Sequence, residues 1–316
     1  MSDLAVVGAG AWGTALAIQA ARAGRSVVLW ARDPVRLAAR ENPRLPGFRL
    51  PDAVRVTGDL PAAALVLLAV PLQHMRAVAA RLPPGGPLVV CAKGVESGSL
   101  RLPLEVLATV QPGRPAAVLS GPNFAHEIAA GLPAATVVAA AAASVREAVA
   151  AALGTPAFRI YGNDDTVGAQ VGGAAKNVVA IAAGAVTGAG LGENARAALV
   201  TRGLAELARL AVALGGRADT VAGLSGLGDL VLTCAGTASR NYSLGFALGR
   251  GERLEQVLGR RDAVTEGVAT APALVARAAE AGAELPVCTA VAGVVTGRLT
   301  LMEAMEQLLA RPRKDE

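Results

Sequence analysis

Leu4-Ala5-Val6-Val7-Gly8-Ala9-Gly10-Ala11-Trp12-Gly13-Thr14-Ala15-Leu16-Ala17 runs from four apolar residues through a glycine-rich turn into an apolar stretch at helical spacing. That order predicts a strand, a tight turn and the start of a helix. Glycines at 8, 10 and 13 let the backbone turn sharply and let a pyrophosphate approach amides at the positive end of the helix. A glycine triplet alone is a weak signal. In a strand-to-helix setting it becomes a fairly specific sign of a bound dinucleotide. A purely structural glycine turn is the alternative.

Downstream, the helix is expected to end near Gly24, and Ser26 to Trp30 reads as a second buried strand. Where a dinucleotide fold would place an acidic residue on the ribose, the chain has Ala31-Arg32-Asp33-Pro34. Asp33 before Pro34 is expected to cap a helix whose first residue is proline. Arg32 is then placed to meet a 2′-phosphate, which favours NADP over NAD; a solvated strand-end charge is the plainer alternative. Asn42 to Pro51 contains three prolines and reads as an irregular loop. Ala64 to Val70, Pro87 to Cys91 and Ala116 to Leu119 are uniformly apolar, as parallel strands covered on both faces should be. Ala135 to Ala139 and Phe158 to Tyr161 are further strands. In a doubly wound sheet the carboxyl ends of the strands share one edge, so Gly8, Arg32, Pro71, Lys93 and Gly121 should face one ligand crevice.

From Asp164 onward the β signals stop. The expected architecture is an α/β dinucleotide-binding domain over residues 1–163, Rossmann-like with a doubly wound, mainly parallel sheet, followed by an all-α substrate and catalytic domain over residues 164–316. Length agrees, because 316 residues exceed one ordinary domain. In the helical half Lys176 is the only charged side chain between Asp165 and Glu193, set among Ala, Gly and Val. A lone cation there is unfavourable. Of the 30 basic residues only Lys93, Lys176 and Lys314 are lysines. Arginine cannot give up its proton, whereas an ammonium in an apolar site can be driven toward the free amine and serve as a base. A lysine snorkelling to solvent is the alternative. Asp229, in Gly223-Leu224-Ser225-Gly226-Leu227-Gly228-Asp229-Leu230, is the only charge between Asp219 and Arg240. It calls for an ammonium or a helix N-terminus as partner, or serves as a cap. Ser239-Arg240-Asn241 offers a hydroxyl, a guanidinium and an amide suited to a phosphate. Thr265-Glu266-Gly267 reads as an interruption between two helical stretches.

Composition narrows the function. A 53% hydrophobic fraction suggests a membrane protein until alanine is seen to dominate it, and the most suspicious uncharged run, Ile128 to Val145, holds Gly131 and Pro133. No membrane span and no secretory signal are expected. Cys91, Cys234 and Cys288 form no metal or redox spacing, which points to the cytoplasm. A net charge of +5 suits anionic ligands in a general way, but 3% aromatics and no basic run give nucleic-acid binding no support. His126-Glu127 lacks a second histidine at zinc-site spacing, and His74 has no evident partner. No metal is expected.

The ordered series Gly8 to Ala17, Ser120-Gly121-Pro122-Asn123-Phe124-Ala125, Ala174-Ala175-Lys176-Asn177-Val178, Gly226 to Leu230 and Ser239-Arg240-Asn241 resembles that of bacterial NAD(P)-dependent glycerol-3-phosphate dehydrogenases. The resemblance covers both halves. It implies interconversion of sn-glycerol 3-phosphate and dihydroxyacetone phosphate by hydride transfer with NADP or NAD, feeding phospholipid synthesis. It implies Lys176 as the proton-transfer residue, and Lys93, Gly121, Asn123, Lys176, Asp229, Ser239, Arg240 and Asn241 as substrate contacts. Gly8, Gly10, Ala11, Trp12, Gly13, Arg32, Lys93, Ala125, Arg240, Val264 and Glu266 would lie against the dinucleotide. A homodimer is a further expectation. Two positions depart from the family: Asn123 stands where serine is usual, and Leu72 follows Pro71 where a small polar residue is common. The competing readings are another two-domain dehydrogenase, acting on 6-phosphogluconate or a hydroxyacid or hydroxyacyl substrate, and a dinucleotide sensor without turnover.

Overall fold

The computed structural model describes residues 2–260 and 265–312. Its strands are β1 (Ser2–Val7), β2 (Val27–Trp30), β3 (Glu41–Asn42), β4 (Leu45–Arg49), β5 (Val54–Thr57), β6 (Ala63–Leu68), β7 (Leu88–Val90), β8 (Ala116–Ser120), β9 (Ala134–Ala139) and β10 (Phe158–Asn163). Eight of them form one sheet in the order β10-β9-β8-β7-β6-β1-β2-β5. All neighbours in it are parallel except β8 and β9. The expected doubly wound, mainly parallel sheet is present, followed by helices.

Two compact units divide the chain: Met1–Lys93 with Leu102–Gln170, and Gly94–Arg101 with Val171–Glu316. This is less simple than one cut after residue 163, because the segment following Lys93 belongs with the helical unit and the helix Thr166–Gly188 straddles the second crossing.

In the first unit, side chains alternate along each strand and so feed two cores. Leu4 and Val6 join one buried cluster with Leu16 and Ile18 of the helix Ala11–Arg22. Ala5 and Val7 join another with Val66, Leu68 and Met75. Burial on both faces is why these strands read as continuous apolar runs.

Three local readings need correction. Residues 42–51 are not an irregular loop: they contain β4, which pairs antiparallel with β3 as a small hairpin. Leu45 and Leu50 are buried there, and Asn42 Nδ2 donates to Ala9 O at 3.0 Å and to Thr14 Oγ1 at 2.6 Å, so tertiary contacts outweigh the proline content. Asp33 does not cap through its side chain. Pro34–Leu37 is one 3-10 turn, and the Asp33 carboxylate instead accepts from Arg36 Nε at 3.0 Å. Thr265-Glu266-Gly267 lies only partly between the helices Leu254–Gly259 and Glu266–Glu280: Thr265 is the N-cap of the second, and Glu266 and Gly267 are inside it.

In the helical unit, Thr166–Gly188 is long and apolar enough to cross a membrane, but 89% of its most apolar window is buried inside the protein. It is a core helix. Glycines let other backbones reach it. A Cβ at Gly184 would fall 2.0 Å from Tyr242 O, and one at Gly245 would fall 1.8 Å from Ile181 O. The helix Arg240–Gly249 therefore packs backbone to backbone on Thr166–Gly188. A Cβ at Gly172 would lie 2.7 Å from Ser225 O, which seats the π-helical turn Leu224–Gly228 on the same helix.

Candidate active site

The glycine turn of the first unit has the division of labour that a bound pyrophosphate requires. Gly8 has φ +118°, and a Cβ there would sit 2.8 Å from the Ala69 carbonyl carbon. A Cβ at Gly13 would sit 1.8 Å from Gly8 O. Only glycine fits either place. Gly10 differs: a Cβ there would meet nothing within 4 Å. The turn and the helix–strand packing account for the outer glycines, while Gly10 borders open space at the N-terminus of Ala11–Arg22. That space suits a diphosphate, since the first helical amides lack intrahelical acceptors and carry the positive end of the dipole. Ala11, Trp12 and Ala125 are half-buried, and Ala125 starts the helix Ala125–Ala130. Arg32 is exposed, two residues beyond the end of β2.

The same sheet edge carries Lys93 and Gly121, at the ends of the adjacent strands β7 and β8. Lys93 Nζ donates to Gly121 O at 3.2 Å. Gly121 has φ +148°, and a Cβ there would press within 3.1 Å of Thr136 Cα. Thr136 Oγ1 donates to Ser120 O at 2.9 Å and accepts from Asn123 Nδ2 at 3.0 Å. Asn123 Oδ1 is buried with no hydrogen-bond partner among the described residues. Buried polar atoms are rarely left so, and an N–H or O–H of a ligand would complete it. The other departure from the family pattern has a plain outcome: Leu72 is 2% exposed in the core and offers no polar group to a site.

In the helical unit, Lys176 is not a lone charge. It is 9% exposed, and its Nζ makes a short ion pair with the carboxylate of Asp229, itself 1% exposed. Nζ also donates to Thr233 Oγ1 at 3.0 Å, and Thr233 Oγ1 donates to Asp229 O at 2.6 Å. Asp229 opens the helix Asp229–Cys234 immediately after the π-helical turn, with Gly228 rather than Asp229 at the cap position. The sequence reading missed Thr233. Its place one helical turn after Asp229 was the available signal. The carboxylate and the hydroxyl thus hold Nζ from two sides within a buried cluster.

Asn177, also missed, belongs to a second network centred on Asn241. Its Oδ1 accepts from Asn241 Nδ2 at 2.9 Å, and Asn241 Oδ1 accepts from Gly267 N at 3.0 Å. This fastens Asn241 beside Glu266, the first residue of Glu266–Glu280. Ser239 is the N-cap of Arg240–Gly249, its hydroxyl accepting from Tyr242 N at 3.3 Å, and Arg240 is exposed in the first turn. Val264 lies outside the described residues. No cluster of three or more His, Cys, Asp or Glu side chains able to hold a metal occurs among the described residues. His126 stacks on Phe124 at 5.7 Å between ring centres and lies 3.9 Å from Glu127, the expected helical pair.

Comparison with known proteins finds matches over both halves of the chain. Residues 3–146 match the family described as the N-terminus of NAD-dependent glycerol-3-phosphate dehydrogenase, and residues 165–306 match its C-terminus. A relative from Acidiphilium cryptum, named glycerol-3-phosphate dehydrogenase [NAD(P)+], is 59% identical across 99% of this chain and 98% of its own. One of the same name from Gluconobacter oxydans is 52% identical across 98% and 97%. The crystal structure of glycerol-3-phosphate dehydrogenase from Coxiella burnetii superposes with a TM-score of 0.93 at 36% identity, covering 98% of this chain and 99% of that one.

Proposed function

The chain belongs to the NAD-dependent glycerol-3-phosphate dehydrogenase family, and we propose that it interconverts sn-glycerol 3-phosphate and dihydroxyacetone phosphate with Lys176 as the proton-transfer residue. It is an NAD(P)-dependent oxidoreductase. The observation that carries the residue assignment is the buried Lys176–Asp229–Thr233 cluster.

A bound nicotinamide supplies the hydride acceptor for alcohol oxidation and the hydride donor for ketone reduction. Everything else falls to the chain. In oxidation the free amine of Lys176 takes the proton of the secondary hydroxyl, and in reduction its ammonium returns a proton to the carbonyl oxygen. Asp229 holds the ammonium in place and compensates its charge; Thr233 fixes the direction of Nζ. Lys93 adds positive potential, and Arg240 holds the substrate phosphate with its planar fork. Ser239, Asn241, Gly121 and Asn123 complete the substrate contacts. Gly8, Gly10, Ala11, Trp12 and Gly13 hold the diphosphate, Ala125, Val264 and Glu266 lie along the dinucleotide, and Arg32 selects NADPH by meeting its 2′-phosphate. We place the enzyme in the cytoplasm, on the strength of three free, buried cysteines, and assign it a homodimeric state and a role in phospholipid precursor supply.

NADPH consumption with dihydroxyacetone phosphate and with rival ketones, such as 3-keto acids, tests the assignment. Turnover confined to dihydroxyacetone phosphate is expected. Preference for another ketone would replace the substrate, and binding of NADPH without turnover of any would identify a sensor. Light scattering tests the homodimer.

A further inference from the structure

The helix that carries Asp229 is too short to hold its own shape. Asp229–Cys234 has six residues, and helices of that length are unstable unless tertiary contacts fix their ends. Its front end is fixed by the π-helical turn pressed against Gly172. Its back end is held by a residue with no role in the reaction described above. Arg196 Nη1 donates to the carbonyl oxygen of Cys234 at 3.1 Å, one of the terminal carbonyls that a helix leaves without an intrahelical donor.

Arg196 is itself fixed. Its Nε donates to Glu193 Oε2 at 3.0 Å and its Nη2 forms a short contact with the same carboxylate, one turn earlier on the helix Glu193–Ala213. The guanidinium therefore spans two helices, with one edge on Glu193 and the other on the end of the Asp229 helix. Cationic charge at a helix C-terminus is favourable in its own right. The residue next to that carbonyl's own side chain is Thr233, which bonds both Lys176 Nζ and the Asp229 backbone. The Cys234 thiol is pushed up to about 12 chiefly by burial, and the charges that act on it are Lys176, Arg196 and Asp229. One small volume thus contains all three.

We propose that Arg196, clamped by Glu193, is a positioning residue for proton transfer: it holds the Asp229 helix by the Cys234 carbonyl so that Asp229 and Thr233 keep Lys176 Nζ in its working place. It touches no substrate. Loss of Arg196 should therefore loosen the geometry around Lys176 Nζ. The inference rests on Lys176 being the proton-transfer residue.

The test compares Arg196→Met, Arg196→Lys, Glu193→Gln, Lys176→Ala, Asp229→Asn and the double variant Arg196→Met with Asp229→Asn, all in the full-length enzyme with NADPH and dihydroxyacetone phosphate. Arg196→Met is expected to lower kcat about ten- to a hundredfold, the scale of a misplaced catalytic group, with KM for dihydroxyacetone phosphate within about twofold. Arg196→Lys should recover part of kcat by supplying one donor, and Glu193→Gln should cause a smaller loss of the same kind. In the Asp229→Asn background the Arg196 effect should largely vanish, because both act through one network. A folded Arg196→Met variant with unchanged kcat overturns the inference, as does a loss fully additive with Asp229→Asn. If Lys176→Ala retains turnover, the parent assignment fails instead.

Discussion

Lys176 and Asp229, 53 residues apart in the chain, meet as a buried ion pair whose carboxylate is 1% exposed. Burying both charges is favourable only because each compensates the other and Thr233 adds a further bond. Removing either side should therefore affect stability as well as rate. Lys176→Ala is expected to reduce turnover by about two to four orders of magnitude, the range for a lost acid–base group, with NADPH affinity little changed. It and Asp229→Asn should each lower stability by about 3–5 kcal/mol through the uncompensated partner. Urea unfolding and single-turnover rates check both; a Lys176→Ala enzyme of normal speed would remove the proton-transfer role.

The two glycines Gly10 and Gly13 should separate cofactor binding from folding. Gly10 has φ −79° and an extended ψ, which alanine adopts freely, and a Cβ there meets nothing within 4 Å. Gly10→Ala should leave the melting temperature nearly unchanged while weakening NADPH, because the methyl occupies the diphosphate's space. Gly13→Ala should destabilise the apo protein, since its Cβ would sit 1.8 Å from Gly8 O. Calorimetric titration of NADPH together with apo melting curves distinguishes them. Undiminished NADPH affinity in Gly10→Ala would move the diphosphate elsewhere.

Much of this was legible in the sequence, and what was hidden has physical reasons. The strands of the large sheet are apolar on both faces and bounded by glycine or proline, so they stand out. β5 does not: it is a four-residue edge strand, Val-Arg-Val-Thr, whose alternation is too short to notice. The β3–β4 hairpin is held by Asn42 reaching Ala9 and Thr14, a contact with no local signature. Lys176 and Asp229 were visible because charges are scarce around them. Their pairing was foreseeable only as a type of partner, and Arg196 not at all, since an exposed i,i+3 Glu–Arg pair looks like any other. The close approaches of Gly184 to Tyr242 O and of Gly245 to Ile181 O join distant parts of the chain and have no local signature.

Glu206 predicts a pH dependence of stability. It is 2% exposed, and its carboxylate accepts from Val287 N at 2.6 Å and Cys288 N at 3.1 Å, capping the helix Pro286–Val295 from a neighbouring helix. Burial pushes its carboxyl above the ordinary value of 4.5, although those two amides pull it down. The folded state then binds the proton more tightly than the unfolded chain, so this group's contribution falls as pH rises from below 4.5 through the raised folded value. Glu206→Gln should remove that slope. At neutral pH it should also lower stability by about 1–3 kcal/mol, because its amide nitrogen faces a helix N–H that has lost its acceptor. Denaturant titrations across the acid range check both effects; an unchanged slope would show that Glu206 is not the group responsible.

Arg32 tests cofactor selectivity. It is exposed beyond β2, on the same sheet edge as the glycine turn, and nothing acidic precedes it where a ribose contact would stand. Arg32→Ala should weaken NADPH by about 1.5–3 kcal/mol, the range for a hydrogen bond to a charged group, and leave NADH nearly unaffected. KM values for both cofactors decide it. Equal losses would show that Arg32 does not read the 2′-phosphate.

Arg240 should reveal itself in substrate affinity rather than in rate. It stands exposed in the first turn of Arg240–Gly249, where the helix dipole and the guanidinium both favour an anion. That helix cannot drift, because its glycines rest on the backbone of Thr166–Gly188, the helix that holds Lys176. A phosphate held by Arg240 would therefore keep a fixed distance from Lys176, which is what orienting a three-carbon substrate requires. Arg240→Ala should raise KM for dihydroxyacetone phosphate by about ten- to a hundredfold, equivalent to about 1.5–3 kcal/mol for a charged hydrogen bond. Arg240→Lys should recover only part of it, since a single ammonium cannot hold two oxygens in the plane of a fork. Melting temperature should barely change, as the side chain is outside the core. If KM stays constant while kcat falls, Arg240 acts on the reacting carbon end and the phosphate is anchored by another group, with Lys93 the next to be tested.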